Sequence, residues 1–197
     1  MGRQRKSTSG SDFWGALFKP RPNRFTIEEL SYLHAVLKSH PVVNEGNKNT
    51  VIEALRSVAE LMIWGDQHDP TFFEFFAEHE TLQYVHRILS QAFCRRGEVA
   101  VQILQTLSIL TQNIQSEQAI YYLFSKNHIN AIIGQDFNFD DDEVLGYYIS
   151  FLKTISLKLN SGTIHFFLLR KRGSQGDASW TFPLYERIRA ALGLGYL

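Results

Sequence analysis

The residues most able to carry out chemistry are a single cysteine and seven histidines. Cys94 is followed by Arg95 and Arg96, and neighbouring cations lower the pKa of a thiol and favour the reactive thiolate. The sequence offers no evident partner base, so an incidental cysteine is the alternative. No two histidines are four residues apart, and His79 and His86 are separated by a heptad. Since helical zinc ligands need closer spacing, we predict neither a metal nor a cofactor.

Two acidic segments imitate functional sites. Residues 136–147 begin like a calcium loop, but the glycine and the final glutamate that such a loop requires are missing. In the segment WGDQHDP, Asp66, His68 and Asp69 are able to form an acid–base cluster, although a structural corner explains them equally well. The sequence also has no phosphate-binding glycine loop and no nucleophile elbow. We therefore predict that the protein is not an enzyme and has no small-molecule substrate.

Composition favours a globular protein of a reducing compartment. The chain is 44% hydrophobic with 15 phenylalanines, and one cysteine excludes an internal disulfide. The longest uncharged stretch, residues 99–116, contains five amide side chains and is predicted to be a buried helix rather than a membrane span. Residues 1–24 carry a net charge of +5, residues 25–166 carry −8 and residues 167–197 carry +3. No basic, aromatic-interleaved element predicts a nucleic-acid partner.

The basic leader, residues 1–24, contains an apolar run flanked by cations. Aromatic groups that enter the headgroup region beside such cations are typical of peripheral membrane contact, so an anionic membrane surface is a candidate partner. The alternative is that Trp14 and Phe18 dock on the first helix. The candidate membrane-contact residues are Phe13, Trp14, Leu17, Phe18, Lys19 and Arg21.

The elements that must position these residues are predicted to be helical. Asp69 is expected to cap one helix, while Gly65 is expected to end the preceding one with a positive φ and Trp64 to be packed. Residues 163–169 and 179–182 are β-branched and aromatic around a turn, which predicts a small hairpin. Further helix signals are the capping box Thr26–Glu29, a cap at Asn47 or Asn49, Ser116, residues 127–134 and Pro183.

A short pattern recurs along the chain. Residues 55–59, 104–108 and 152–156 each read Leu, polar, hydroxyl, aliphatic, small, at spacings of 49 and 48 residues. This period is slightly longer than that of HEAT and armadillo repeats and predicts an all-α helical stack. The apolar stretch 140–160, with Leu145, Tyr148 and Leu157 among its apolar residues, is predicted to be the central helix, covered on most sides.

Several long strings resemble the FPL-domain family. They are IEALRSVAELMIWGDQHDP (52–70), VQILQTLSILTQNI (101–114), SEQAIYYLFSKNHIN (116–130), YYISFLKTISLKLN (147–160) and FPL itself (182–184). This family forms the N-terminal domain of large animal endosomal-maturation (Ema) and plant Transparent Testa vacuolar-trafficking proteins, and the plant branch is the more similar. The residues that carry the family motifs are Trp64, Gly65, Asp66, Gln67, Tyr147, Tyr148, Phe151, Leu152, Lys153, Phe182, Pro183 and Leu184.

The resemblance implies an armadillo-like fold and a non-catalytic scaffold role in endosomal, lysosomal or vacuolar trafficking and autophagy. Other trafficking proteins are then the expected partners, and the expected location is cytoplasmic, peripheral to endosomal or vacuolar membranes. A ubiquitin-ligase-associated or ligase-like regulatory protein is the alternative. The expected organisation is a leader (1–24), an FPL domain (25–192) and a tail (193–197). Family members continue beyond the FPL motif, which suggests a truncated or alternatively spliced form.

Overall fold

A computed structural model describes residues 24–172 and 178–193 of the chain, and for 171–172, 178–179 and 191–193 it describes the backbone alone. The candidate membrane-contact residues in the leader lie outside the described residues. The described part is mostly helical and carries one two-stranded antiparallel sheet. The prediction of an all-α fold with a small hairpin is confirmed. Its helices are α1 (Ile27–Ser39), α2 (Lys48–His68), α3 (Thr71–Glu78), α4 (Thr81–Leu89), α5 (Gly97–Asn113), α6 (Glu117–Phe124), α7 (His128–Ile133), α8 (Asp142–Ser156) and α9 (Pro183–Gly193).

The three copies of the recurring pattern lie on three long helices that pack side by side. The two most extensive helix–helix contacts in the described residues are those of α5 with α8 and of α5 with α2. The leucine that begins each copy is buried in every case: Leu55 is 5% exposed, Leu104 0% and Leu152 3%. The period predicted from the sequence is therefore the spacing between neighbouring long helices.

The central helix is α5, and the prediction that residues 140–160 form it is wrong. Helix α8 has α5 on one face, whereas Gly146, Ser150 and Lys153 on another face are exposed. Leu157, expected to widen the buried face, follows the helix and is 77% exposed. The burial of α5 on two sides explains why its apolar residues encircle it, whereas the exposed face of α8 carries small and charged residues.

Each repeat consists of one long helix and two short ones, α2–α4 and then α5–α7. Hydrogen bonds join corresponding positions of neighbouring repeats. The Lys126 ammonium donates to the Glu80 carboxylate at 2.9 Å, and the Tyr122 hydroxyl donates to the Phe76 carbonyl at 3.3 Å. Both bonds span 46 residues, close to one repeat period. The array is thus fastened along its length by polar contacts as well as by its apolar core.

Most predicted helix starts are confirmed. The Thr26 hydroxyl accepts from the Glu29 N–H at 3.1 Å, and the Ser116 hydroxyl accepts from the Ala119 N–H at 3.2 Å. Helix α2 begins after Asn47, as predicted, although this side chain accepts from the Asn44 N–H rather than from the helix. These starts were predictable because a capping hydroxyl acts within three residues.

Helix α2 does not stop at Gly65, as the sequence predicted, but continues to His68. Gly65 has no positive φ, and its role is to let helix α3 come close. A Cβ atom placed on Gly65 would lie 2.4 Å from the Cβ of Phe72 and 2.7 Å from its Cγ. The glycine is required by this contact between α2 and α3.

The hairpin begins later than predicted. Strand β1 (Leu169–Arg172) pairs with β2 (Ala178–Thr181), and Arg170 lies opposite Trp180. Residues 164–167, expected to be strand, form a 3-10 turn. The Thr163 hydroxyl accepts from the Asn160 N–H at 2.9 Å and turns the chain back, so that Phe167 is fully buried in the core.

Candidate interaction site at the corner between helices α2 and α3

Trp64, near the end of α2, is the centre of an aromatic cluster. Its ring stacks on Phe25 at 5.2 Å and on His68 at 4.7 Å, and it meets the Phe72 ring edge-on at 5.3 Å. The prediction that Trp64 is packed agrees with these contacts. His68 is exposed and its Nδ1 lies 2.8 Å from the Trp64 carbonyl, so this histidine belongs to the helix end.

Asp66 fastens this corner to the next repeat. One carboxylate oxygen accepts from the Gln115 N–H at 2.7 Å and from the Ser116 N–H at 3.2 Å. The other oxygen accepts from the Ser116 hydroxyl, which also caps α6. Both acceptor atoms of the carboxylate are therefore engaged in structure, and an acid–base role with His68 is not supported. These partners are 49 and 50 residues away, close to one repeat period.

Asp69 supplies the predicted cap, with α3 beginning two residues later. Its carboxylate accepts from the Thr71 N–H at 3.0 Å and from the Thr71 hydroxyl at 2.7 Å. The hydroxyl, followed by the backbone N–H, lowers the pKa of Asp69 below its ordinary value. Each acidic residue of the corner thus has a structural partner.

Between these residues a polar cleft of about 230 Å³ is open to solvent. Gln67, His68 and Gln118 present exposed polar side chains at this cleft, and Phe73 and Ala119 supply buried apolar surface. Polar side chains around an apolar patch match the make-up of a protein–protein interface, in which a polar rim surrounds an apolar core. It is the candidate interaction site of the described residues.

The other residues of the family motifs are divided between the core and the surface. Phe151, Leu152 and Leu184 are 0–3% exposed. The buried Tyr148 hydroxyl donates to the Ile133 carbonyl at 2.7 Å, and burial raises the pKa of Tyr148 to about 12. Tyr147, Phe182 and Pro183 are half-buried, and Gln67 and Lys153 are exposed. Helix α9 packs on α7 and α8, so the motif residues 182–184 lie close to the motif residues 147–153. The motif residue Asp66 instead contacts the loop between α5 and α6.

Cys94 does not have the lowered pKa that the adjacent arginines suggested. The side chain is 0% exposed, and burial raises the pKa of its thiol to about 11. Arg95 instead donates to the Gln135 amide oxygen at 3.4 Å and Arg96 to the Ala92 carbonyl at 3.2 Å. The two cations point to other partners, so the thiol is a small buried apolar group.

We expect Cys94 to resist alkylation in the folded protein. At pH 8 a thiol with a pKa of about 11 is thiolate roughly 10²-fold less often than an exposed one, and burial also blocks access. Iodoacetamide labelling followed by mass spectrometry should therefore be at least 10²-fold slower in buffer than in concentrated urea. Comparable rates in the two solvents would show that the thiol is exposed.

Two other classes of site are absent from residues 24–172 and 178–193. No cluster of three or more histidine, cysteine, aspartate or glutamate side chains there is arranged to hold a metal ion. None of the helices there has both the length and the apolar character needed to cross a membrane.

The described residues form a stack of helical repeats, an all-α fold with one small hairpin. A sequence model of FPL, a family described as an uncharacterised conserved protein, matches residues 55–191. The chain belongs to the FPL family, and the resemblance seen in the sequence is confirmed.

Three relatives have similar identities to the chain. The Drosophila melanogaster "Protein CLEC16A homolog" is 46% identical over 87% of this chain, and the Caenorhabditis elegans "Protein CLEC16A homolog" is 48% identical over 88%. The Arabidopsis thaliana "Protein TRANSPARENT TESTA 9" is 49% identical over 87%. The chain spans only 15%, 18% and 20% of the fly, worm and plant proteins respectively. No solved structure matches the chain significantly.

Proposed function

We propose that the protein is a non-catalytic scaffold in endosomal, lysosomal or vacuolar membrane trafficking and autophagy. Membership of the FPL family supports the trafficking context, because a trafficking role is what resemblance to that family implies. The observation that carries the scaffold role is the corner between α2 and α3. There Asp66 binds the next repeat, and exposed polar groups surround an open cleft. A surface held rigid by two repeats presents a partner with a preformed shape, which reduces the entropy lost on binding.

The partners in this proposal are other trafficking proteins, and the location is the cytoplasmic side of endosomal or vacuolar membranes. Proximity labelling in cells tests both points. The cleft variant Gln67→Ala with His68→Ala removes exposed side chains, and Gln83→Ala with Arg87→Ala on exposed positions of α4 is its matched control. Loss of specific endomembrane proteins from the labelled set of the cleft variant alone supports the proposal. A wild-type set without endosomal or vacuolar proteins contradicts it.

The ligase alternative requires an internal acceptor for ubiquitin if the chain itself transfers it. Cys94 is the only cysteine, and its burial disfavours attack on a thioester. The test is incubation with ubiquitin-charged conjugating enzyme, followed by non-reducing gel electrophoresis. We expect no ubiquitin thioester on the wild-type chain, and therefore no difference between wild type and Cys94→Ser. A Cys94-dependent thioester would replace the scaffold proposal with a catalytic one.

Membrane contact is proposed for the leader. Cations near an anionic bilayer each contribute about 1 kcal/mol, and the aromatic run adds apolar burial. We expect flotation with anionic liposomes to fall as salt rises and to weaken in the double variant Trp14→Ala with Phe18→Ala. A protein lacking residues 1–24 is the control. Equal flotation with and without the leader would reject this anchor.

A further inference from the structure

A second groove, open to solvent, runs between α2 and α5. Its volume is about 290 Å³, and Ala59, Ile63, Thr106 and Ile109 form its apolar part. Ile109 is 45% exposed, on a helix whose other aliphatic side chains are buried. A single exposed isoleucine is ordinary on a protein surface. Here it faces a half-buried isoleucine across a concave surface, so an apolar occupant would bury both.

The leader meets the described structure at the edge of this groove. The Arg24 guanidinium pairs with the carboxylate of Glu60, which lines the groove. The next residue, Phe25, stacks on Trp64, the neighbour of Ile63 along α2. The chain before residue 24 therefore starts beside the groove and not on a distant face.

The length of the leader suits this groove. On α2 the groove extends from Arg56 to Ile63, about 10 Å of helix. The five residues KPRPN (19–23) separate Phe18 from Arg24, and their prolines favour an extended chain of about 3.1 Å per residue. Phe18 is then within about 19 Å of Arg24, so the apolar run 13–18 reaches every part of the groove. Tethering also gives the leader a millimolar effective concentration there.

We propose that the apolar run Phe13–Phe18 of this chain occupies the groove between α2 and α5. Its aromatic side chains cover Ile63 and Ile109. The net charges of the two parts of the chain favour the contact, since residues 1–24 carry +5 and residues 25–166 carry −8. This occupancy does not rest on the trafficking proposal, because it concerns a contact within one chain. It competes with the membrane contact proposed for the leader, since Trp14 and Phe18 bind one surface at a time.

Site-specific photocross-linking of the full chain tests the proposal. The photoreactive residue p-benzoylphenylalanine replaces Ile109 in the groove, Tyr32 on α1 or Leu157 after α8, all of which are exposed. Mass spectrometry then locates the linked peptide. We expect position 109 to capture residues 13–18 at least five-fold more than position 32 or 157 does. The yield should not depend on protein concentration, because the link is intramolecular.

Side-chain variants of the leader sharpen the test. Trp14→Ala with Phe18→Ala should lower the yield at position 109 at least five-fold, whereas Ser7→Ala with Ser9→Ala, outside the apolar run, should leave it unchanged. Three results overturn the proposal: a link at position 32 that equals or exceeds the link at 109, a link between two copies, and no link to the leader at position 109. The first of these would place the leader on α1, and the second would make the groove a dimer contact.

Discussion

Gly65→Ala is expected to lower the free energy of unfolding by about 3 kcal/mol, because overpacking of a core contact costs about 1–3 kcal/mol and here the nearest atom cannot move aside. The added methyl group would lie 2.4 Å from the Cβ of Phe72, an atom fixed to the backbone of α3. Relief therefore requires α2 and α3 to separate. For a chain of this size the melting temperature should fall by roughly 6–12 °C.

Gly146→Ala is the matched control for this prediction. Gly146 also lies inside a long helix, but it is exposed and an added Cβ has no atom within 4 Å. Replacement of a helical glycine by alanine at such a position stabilises by about 0.5–1 kcal/mol. Urea unfolding followed by circular dichroism measures both variants. If Gly65→Ala is as stable as wild type, the close contact between α2 and α3 is not needed for the fold.

Asp66→Ala should be the next most destabilising of the changes considered, with a loss of about 2–3 kcal/mol. Hydrogen bonds to a charged acceptor contribute about 1.5–3 kcal/mol, and this half-buried carboxylate accepts from two backbone N–H groups and one hydroxyl of the next repeat. Water replaces part of the loss, since Gln115 is exposed. Urea unfolding at neutral pH gives the difference.

Asp69→Ala is the control for Asp66→Ala because it removes the same carboxylate three residues further along the chain. Asp69 binds only the start of α3, within its own repeat. We expect a clearly smaller loss of stability than for Asp66→Ala. Equal losses would mean that the bond between repeats has no special weight. If Asp69→Ala leaves stability unchanged but abolishes the labelling of partners, this corner is a binding site and the capping role is secondary.

The parts of the fold that were predicted correctly are those set by short-range physics. The caps at Thr26 and Ser116 act within one helical turn, and the recurring leucines mark equal positions on helices that pack together. The prediction that Gly65 ends α2 is wrong because the sequence does not distinguish a glycine that ends a helix from one that makes room for a neighbouring side chain. Only the position of Phe72 distinguishes the two roles.

The sequence predicts a structural corner at WGDQHDP but not the contacts that hold it. The segment WGDQHDP was singled out, yet the partners of Asp66 are 49 and 50 residues away, and no local pattern names them. The environment of Cys94 shows the same limit, since the sequence places two arginines beside it and the fold directs both away. Burial and direction are tertiary properties, and they decide whether a charged neighbour affects a titrating group.

The bonds that join positions about one repeat apart also bear on how the molecule unfolds. In an array where each unit contacts mainly its neighbours, the cooperativity of unfolding arises from the couplings between neighbouring units and not from one shared core. The carboxylate of Asp66 and the pair Glu80–Lys126 couple the unit α2–α4 to the unit α5–α7. If these couplings are weakened, native-state hydrogen exchange should separate into two steps, with amides of α2 exchanging at a lower denaturant concentration than those of α5.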